Sequence, residues 1–448
     1  MISKKINNKV FSFDCNDIIT EKVISGNRYR YKIGIIIDSP VLIPPTTGVT
    51  YRLYYLSKAL SELGYEQVWF IGNRNHQNME SINSLKNDHI KIHLIPPESI
   101  YDCKYLSELI KSERIDIIQF EISETLLAIA PNLKKLVNLP IILEAHDIEA
   151  SLRKSLNMVD EVELMNFIQF TACSLADAVV SMTPNDYASL VNDISVPKHK
   201  IFLAPNGVNI DTQEHFTLDK KSTTLIFLGN MYYFPNQQGL IYTIEKVLPI
   251  VWEKTPNTIL KVVGLVPDNI REKYENDHIL FTGEVNDYDE FKRHLRSGIA
   301  GLCILFSGSG MKVKILDYCA NGLPVILTET GLSGYEKNES FILVNDDASS
   351  IAQAIINILN NKERALSLGV QNRKFIMNNF SWDSICKKLI EAYDSVYNSY
   401  SHVKGEREIK LPKPLLFKEG RDEEISKKMH IVINKNDIEV IDENDELQ

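Results

Sequence analysis

The segment Phe306-Ser-Gly-Ser-Gly-Met-Lys-Val-Lys-Ile-Leu-Asp-Tyr-Cys-Ala-Asn-Gly-Leu-Pro-Val-Ile326 concentrates the residue types that hold a phosphorylated ligand. A small-residue loop, Ser307-Gly308-Ser309-Gly310, follows an apolar run, and the pattern predicts a helix from about Met311 to Ala320. Glycines let backbone amides approach a ligand closely. A helix start adds free N–H groups and the positive end of the dipole. Together these suit a diphosphate. On the predicted helix Val313, Leu316 and Ala320 share a face that would pack on a sheet. Lys314, Asp317 and Asn321, three and four residues apart, share another. That second face offers a cation for phosphate and, a turn later, a carboxylate for ribose hydroxyls. The same spacing suits a solvated ion pair on an ordinary crossover helix, and the residues alone leave both readings open.

Other polar residues follow apolar runs in the same way. Ala145-His146-Asp147-Ile148-Glu149 comes after the run from Pro140, and Glu284 comes directly after Gly283. Asp38-Ser-Pro-Val-Leu-Ile-Pro-Pro-Thr-Thr-Gly48 follows the first run and leads to Tyr51 and Arg52. Pro205-Asn-Gly-Val-Asn209 reads as a turn, because Asn-Gly is a strong turn signal. Glu284 is placed either to touch a base or ribose or to stand in solvent.

The elements that must position these residues are legible as alternating strands and helices. Apolar runs lie at Lys32–Asp38, Glu66–Ile71, Ile90–Ile95, Ile115–Glu121, Pro140–Ala145, Asp177–Met182 and Lys200–Ala204. A second series lies at Thr224–Gly229, Thr258–Gly264, His278–Gly283, Ile299–Phe306, Pro324–Thr328 and Phe341–Val344. Runs such as Ile33-Gly34-Ile35-Ile36-Ile37 are apolar on both faces, as a strand inside a parallel sheet requires. Arg52 to Leu63 reads as a helix closed by Gly64. Two α/β series in one chain predict two doubly wound domains, joined in the polar stretch Asn206 to Ser222. Ligands of such sheets bind at the carboxyl ends of the strands, so the chemistry is expected in the loops that follow them. The tail after Tyr400 is charged, with an alternating run His430–Val440 that predicts an added strand or hairpin.

Composition bounds the function classes. The chain has 448 residues, 44% hydrophobic, with a formal net charge of −10, which argues against nucleic acid as a partner. Its cysteines, at 15, 103, 173, 303, 319 and 386, show no metal-ligand spacing and read as buried free thiols in a reducing compartment. No metal site is expected. The N-terminus has no secretory pattern and no window approaches a membrane span, so a cytoplasmic protein, peripheral to a membrane at most, is expected.

From Lys32 to Tyr393 the sequence resembles glycosyltransferase family 4 and its relatives, the group 1 glycosyltransferases. Gly308-Ser-Gly-Met-Lys-Val-Lys-Ile-Leu-Asp317 with Gly322-Leu-Pro-Val-Ile326 resembles the donor-site signature in order and spacing. Phe227-Leu-Gly-Asn-Met-Tyr-Tyr-Phe-Pro-Asn236, Val262-Val-Gly264, Phe281-Thr-Gly-Glu-Val285 and Phe380-Ser-Trp382 resemble further landmarks. The resemblance implies the GT-B fold, α/β with two Rossmann-like domains facing a cleft. It divides the chain into an extension (1–30), an acceptor domain (31–210), a nucleotide-sugar domain (211–385), a terminal helix returning to the first domain (386–400) and a charged extension (401–448).

It also implies the activity: transfer of a sugar from a nucleotide sugar to a hydroxyl acceptor with retention of configuration, in glycan or glycoconjugate synthesis, without a resident cofactor. The implied donor contacts are Asn230, Glu284, Ser307, Gly308, Ser309, Gly310, Met311, Lys312, Lys314 and Asp317. Catalytic roles fall to Asp317 and to His146, which stands where a family His contacts the donor sugar. Gly48, Tyr51 and Arg52 are implied acceptor contacts. There are departures. Many members carry two glutamates flanking this helix, where this chain has Ser309 and Asp317. An Arg and a Lys commonly follow the first strand of the second domain, and here Asn230 and Asn236 stand near those places. Two other activities therefore stay open: a sugar-nucleotide epimerase, and a catalytically impaired binding or partner subunit. A dinucleotide-dependent oxidoreductase is disfavoured because no GxGxxG turn follows the first strand.

Overall fold

The apolar runs build two parallel sheets. The structure, a computed structural model, describes residues 31–38, 48–72, 89–146, 148, 150, 153, 158–210, 221–285, 287–308, 310–401, 431–434 and 437–440. The first sheet takes β1 (Ile33–Ile37), β2 (Gln67–Gly72), β3 (Ile90–Ile95), β4 (Ile117–Phe120), β5 (Ile141–Ala145), β6 (Ala178–Ser181) and β7 (Ile201–Leu203) in the order β3-β2-β1-β4-β5-β6-β7. The second takes β8 (Thr224–Leu228), β9 (Ile259–Val263), β10 (Ile279–Phe281), β11 (Ala300–Cys303), β12 (Val325–Leu327) and β13 (Ile342–Leu343) in the order β10-β9-β8-β11-β12-β13. Every predicted run contains a strand, and all pairings within these two sheets are parallel.

Burial explains the residue choice. Every residue of β1 is buried, since helices cover both faces, whereas β3, at a sheet edge, keeps partly exposed positions between Ile90 and Ile95. Each sheet has one place where strand order reverses: between β1 and β4 in the first, and between β8 and β11 in the second. Loops leaving neighbouring strands diverge there and open a crevice.

The chain passes from the first sheet to the second through Pro205–Ile210 and returns at the junction of helices Lys362–Phe380 and Trp382–Ser401. The crossings lie side by side: Val208 N donates to Phe380 O at 2.8 Å. Gly207 is needed there, because a Cβ would stand 2.7 Å from the Trp382 ring. Trp382, Ile385, Leu389 and Tyr393 of the last helix join the core on one face of the first sheet. In the tail, β14 (Ile431–Asn434) and β15 (Asp437–Val440) pair antiparallel, so the predicted strand or hairpin is a hairpin. Cys103, Cys173, Cys303, Cys319 and Cys386 are free thiols, and Cys15 lies outside the described residues. Among the described residues no helix is long and apolar enough to cross a membrane.

Candidate functional site

The candidate donor residues gather at the β8/β11 crevice. Gly229 ends β8 with φ +150°, and Gly264, at the end of β9 with φ +120°, packs so closely that a Cβ would stand 2.2 Å from Gly229 O. This contact fixes the loop that follows. Asn230 Oδ1 accepts from Tyr232 N at 2.9 Å, and Asn230 O accepts from Asn236 Nδ2 at 2.9 Å. The buried Asn236 then accepts through Oδ1 from Lys314 Nζ at 2.7 Å. Lys314 Nζ also lies 5.5 Å from the centre of the Phe227 ring. Asn230 therefore shapes the loop through its Oδ1 and its carbonyl, and Asn236 positions the cation.

The helix that carries Lys314 and Asp317 is clamped to the sheet by Tyr318. The buried Tyr318 hydroxyl accepts from Leu228 N at 2.7 Å and donates to Leu302 O at 3.1 Å, tying β8 to β11. Gly301 makes room, since a Cβ would stand 2.4 Å from the Tyr318 ring. Leu316 and Ala320 are buried as predicted, and Val313 is packed against the same core.

The helix start differs from the prediction: the helix runs Lys314–Ala320, not from Met311. Tyr335 Oη donates to Lys312 O at 2.9 Å, and Met311 packs where Gly334 has no side chain. These contacts hold 311–313 out of the helix. Ile315 N and Leu316 N donate to Lys312 O and Val313 O, so they are not free for an anion. Gly308 and Gly310 take φ +104° and +72°, and Lys312 Nζ donates to Gly310 O at 3.2 Å. Ser307 Oγ donates to Gln238 Oε1 at 3.3 Å. Met311 is half-buried. Ser309 lies outside the described residues. Glu284 is exposed, one residue past Gly283 at the end of β10.

Burial sets the electrostatics. It lowers the Lys314 ammonium to about 8, with Lys312 acting in the same direction. It raises the Asp317 carboxyl to about 7. Neither group forms an ion pair with the other; both destabilise their charged forms until a ligand compensates them. Asp317 also reaches across to the first sheet. Burial first, and then the Asp317 charge, raise Tyr51 on helix Gly48–Glu62. Tyr55, one turn on, is pushed up to about 12 by burial, Tyr54, Tyr288 and then Asp317. Tyr55 stacks on Trp382 with ring centres 5.6 Å apart, and the Tyr51 ring lies 5.9 Å from Trp382.

On the first sheet the acceptor expectation for Arg52 is corrected. Arg52 is 1% exposed. Its Nε donates to Glu144 Oε2 at 2.8 Å and its Nη1 to Pro205 O at 2.7 Å. Glu144 sits inside apolar β5, and a buried carboxylate requires a cation; Arg52 meets that need and ties the outgoing crossing to the sheet. Burial raises the Glu144 carboxyl and Arg52 lowers it, with a net rise. Gly48 opens its helix in open space, with no atom near a Cβ, and Tyr51 keeps a half-buried position facing the second sheet. The loop 39–47 and Asp147 lie outside the described residues.

His146, just past β5, is paired: its Nε2 lies 2.9 Å from Glu121 Oε2. Glu121 follows β4, beside the other crevice, and the candidates drawn from the sequence did not include it. Its place at the end of the predicted run Ile115–Glu121 was the available signal. Asn236, in the first turn of helix Phe234–Tyr242, was signalled by its place near the cation that relatives commonly carry after the first strand of the second domain.

Comparison with known proteins follows the same division. Residues 46–212 match the family described as Glycosyltransferase Family 4, and residues 222–361 match Glycosyl transferases group 1. A 44.6 kDa uncharacterized protein in the cps region of Klebsiella pneumoniae is 27% identical over 170 residues, 36% of this chain and 44% of that protein. A GDP-mannose-dependent alpha-(1-6)-phosphatidylinositol monomannoside mannosyltransferase of Mycobacterium tuberculosis is 24% identical over 163 residues, 33% of this chain and 42% of that protein. The matches thus span less than half the length of these curated relatives. Sucrose-phosphate synthase from Thermosynechococcus elongatus superposes with a TM-score of 0.64 at 18% identity, over 83% of this chain and all of that one. The two family segments divide between the two sheets, and the chain belongs to the group 1, family 4 glycosyltransferases.

Proposed function

We propose that this chain transfers a glycosyl group from a nucleotide sugar to a hydroxyl acceptor, with retention of configuration, in the synthesis of a glycan or glycoconjugate. The carrying observation is the pair Lys314 and Asp317: one turn apart at the β8/β11 reversal, both titrating abnormally through burial, and not neutralised by each other. Lys314, aimed by Asn236, binds the diphosphate, assisted by Lys312 and the backbone of Ser307–Met311. Asp317 accepts from ribose hydroxyls. Glu284 and Asn230 border the nucleotide at the strand ends. As the bond to the sugar breaks, charge grows on the leaving phosphate, and a preplaced ammonium stabilises that charge most in the transition state.

His146, at the end of β5, contacts the donor sugar. The acceptor enters past Gly48 and Tyr51 and attacks from the face the phosphate leaves, which retains configuration without a covalent intermediate on the protein. The donor is a co-substrate, and no resident cofactor takes part. The chain works in the cytoplasm, at most peripheral to a membrane that presents its acceptor. Support for a nucleotide-sugar donor also comes from the GDP-mannose-dependent relative.

The test incubates the protein with UDP-, GDP-, ADP- and dTDP-sugars and measures released nucleotide. Turnover with one donor, lost in Lys314→Ala and Asp317→Ala, is the expected result. Full turnover in both variants refutes the site. An epimerised sugar formed without any acceptor identifies an epimerase, and calorimetric binding without turnover identifies a binding subunit.

A further inference from the structure

A buried chain of hydrogen bonds runs from the terminal helix to His146. Tyr393 is fully buried on helix Trp382–Ser401, and its hydroxyl donates to Gln119 Oε1. Gln119 Nε2 donates to Glu121 Oε1 at 2.6 Å. The other carboxylate oxygen, Glu121 Oε2, faces His146 Nε2 at 2.9 Å. The Glu121 side chain is 2% exposed and that of His146 12%.

Chemistry fixes the polarity of each link. An amide oxygen only accepts, so Tyr393 donates to it, and the amide NH2 of Gln119 is thereby turned toward Glu121. An ionised carboxylate also only accepts, so both neighbours of Glu121 must donate. Where Glu121 is ionised and the ring is neutral, His146 carries its proton on Nε2. Its Nδ1 is left with a lone pair, and no described residue hydrogen-bonds it. The neighbouring carboxylate is accounted for separately: Glu144 takes Arg52, which leaves Glu121 to Gln119 and His146.

We propose that Glu121 is a positioning residue that fixes the orientation and tautomer of His146, so that Nδ1 accepts a hydrogen bond from a hydroxyl of the transferred sugar. Gln119 and Tyr393 hold Glu121 in turn, so the terminal helix supports the sugar site from behind the sheet. With both oxygens engaged, the carboxylate has no second orientation to adopt. The same logic governs metal-bound histidines, whose far nitrogen is set by a carboxylate or carbonyl partner. The proposal rests on reading His146 as a donor-sugar contact.

The test uses the full chain labelled with 15N-histidine, at mildly alkaline pH, with His146→Gln to assign the signal. Long-range 1H–15N correlation reports the tautomer directly. The wild type should show protonated Nε2 and bare Nδ1. In Glu121→Gln the amide NH2 can itself donate to the ring, so the signal should move toward protonated Nδ1. In the same variant kcat for nucleotide release should fall about ten- to a hundredfold, with the donor KM little changed, and Glu121→Asp should recover part of the loss. Tyr393→Phe should give a smaller change of the same kind, and it keeps the packing volume if Glu121→Gln fails to fold. An unchanged tautomer in both variants, or protonated Nδ1 in the wild type, overturns the proposal. An altered tautomer alongside full turnover by His146→Ala instead overturns the sugar-contact reading beneath it.

Discussion

Asp317→Asn should make the protein more stable and a poorer binder of its donor. Burial raises the Asp317 carboxyl from its ordinary 3.8 to about 7 in the folded chain. Below pH 4 the group is protonated in both states and contributes no difference. Between about pH 4 and 7 the unfolded chain releases a proton that the folded chain keeps, so stability falls as pH rises through that window. Above pH 7 the full difference applies, a shift of about 3 units or ~4 kcal/mol for a group wholly shielded from water. Asp317 keeps some contact with solvent in the crevice, so about 1–2 kcal/mol is expected. Asparagine has nearly the same shape and no charge to desolvate. Urea unfolding of both proteins at several pH values measures the difference, in which the titration of all other groups cancels. The curves should coincide near pH 4 and separate by that amount at pH 8, with the variant above. Donor affinity should fall about tenfold or more, the loss of a charged hydrogen-bond acceptor worth ~1.5–3 kcal/mol. A stability gap that does not change with pH, or a wild type that is the more stable at pH 8, refutes the electrostatic account of this carboxylate.

Lys314, lowered to about 8, loses its proton in the free protein as pH rises past that value. Donor affinity measured by calorimetry should therefore fall above pH 8, by up to about tenfold per pH unit, and Lys314→Met should remove that slope along with most of the affinity. Asn236→Ala removes the acceptor that aims Lys314 and should weaken donor binding about three- to tenfold, while circular dichroism shows an intact fold. Arg52→Met leaves Glu144 buried without its cation and should lower stability by about 3–5 kcal/mol, read by urea unfolding. Adding Glu144→Leu should restore much of that loss, and in the folded double variant the acceptor KM should not move.

The two sheets were legible because a parallel strand covered on both faces must be apolar throughout, and Ile33–Ile37 or Ala300–Cys303 have no other place to go. Strand order was not legible, since each crossover helix is compatible with either neighbour. The start of the Lys314 helix was misread for a related reason. Met311, Lys312 and Val313 do not forbid a helix, and only Gly334 and Tyr335, more than twenty residues away, keep them out of it. Arg52 was an acceptor contact only by the family resemblance, and its side chain turns into the fold. Its partner lies 92 residues on, within an apolar run. A single glutamate in Ile-Ile-Leu-Glu-Ala was the clue, because a carboxylate in a buried strand demands a positive partner.

The departure at the loop after β8 has a physical basis of its own. Asn236 Oδ1 sits within hydrogen-bonding distance of the Lys314 ammonium, inside a pocket that already lowers that ammonium's affinity for its proton. A lysine at 236 would bring a second positive charge to the same crevice and raise the burial penalty that Lys314 carries. A neutral acceptor does the opposite: it satisfies one of the three ammonium donors and leaves the others for phosphate. The Asn230 carbonyl, held in turn by the glycine contact between β8 and β9, fixes which way the Asn236 amide faces. Its NH2 bonds that carbonyl, so its oxygen is the atom left for Lys314. The asparagines thus do not replace the missing cations one for one. They leave Lys314 as the aimed charge with Lys312 beside it, and this is why the Lys314 variants above bear most directly on donor binding.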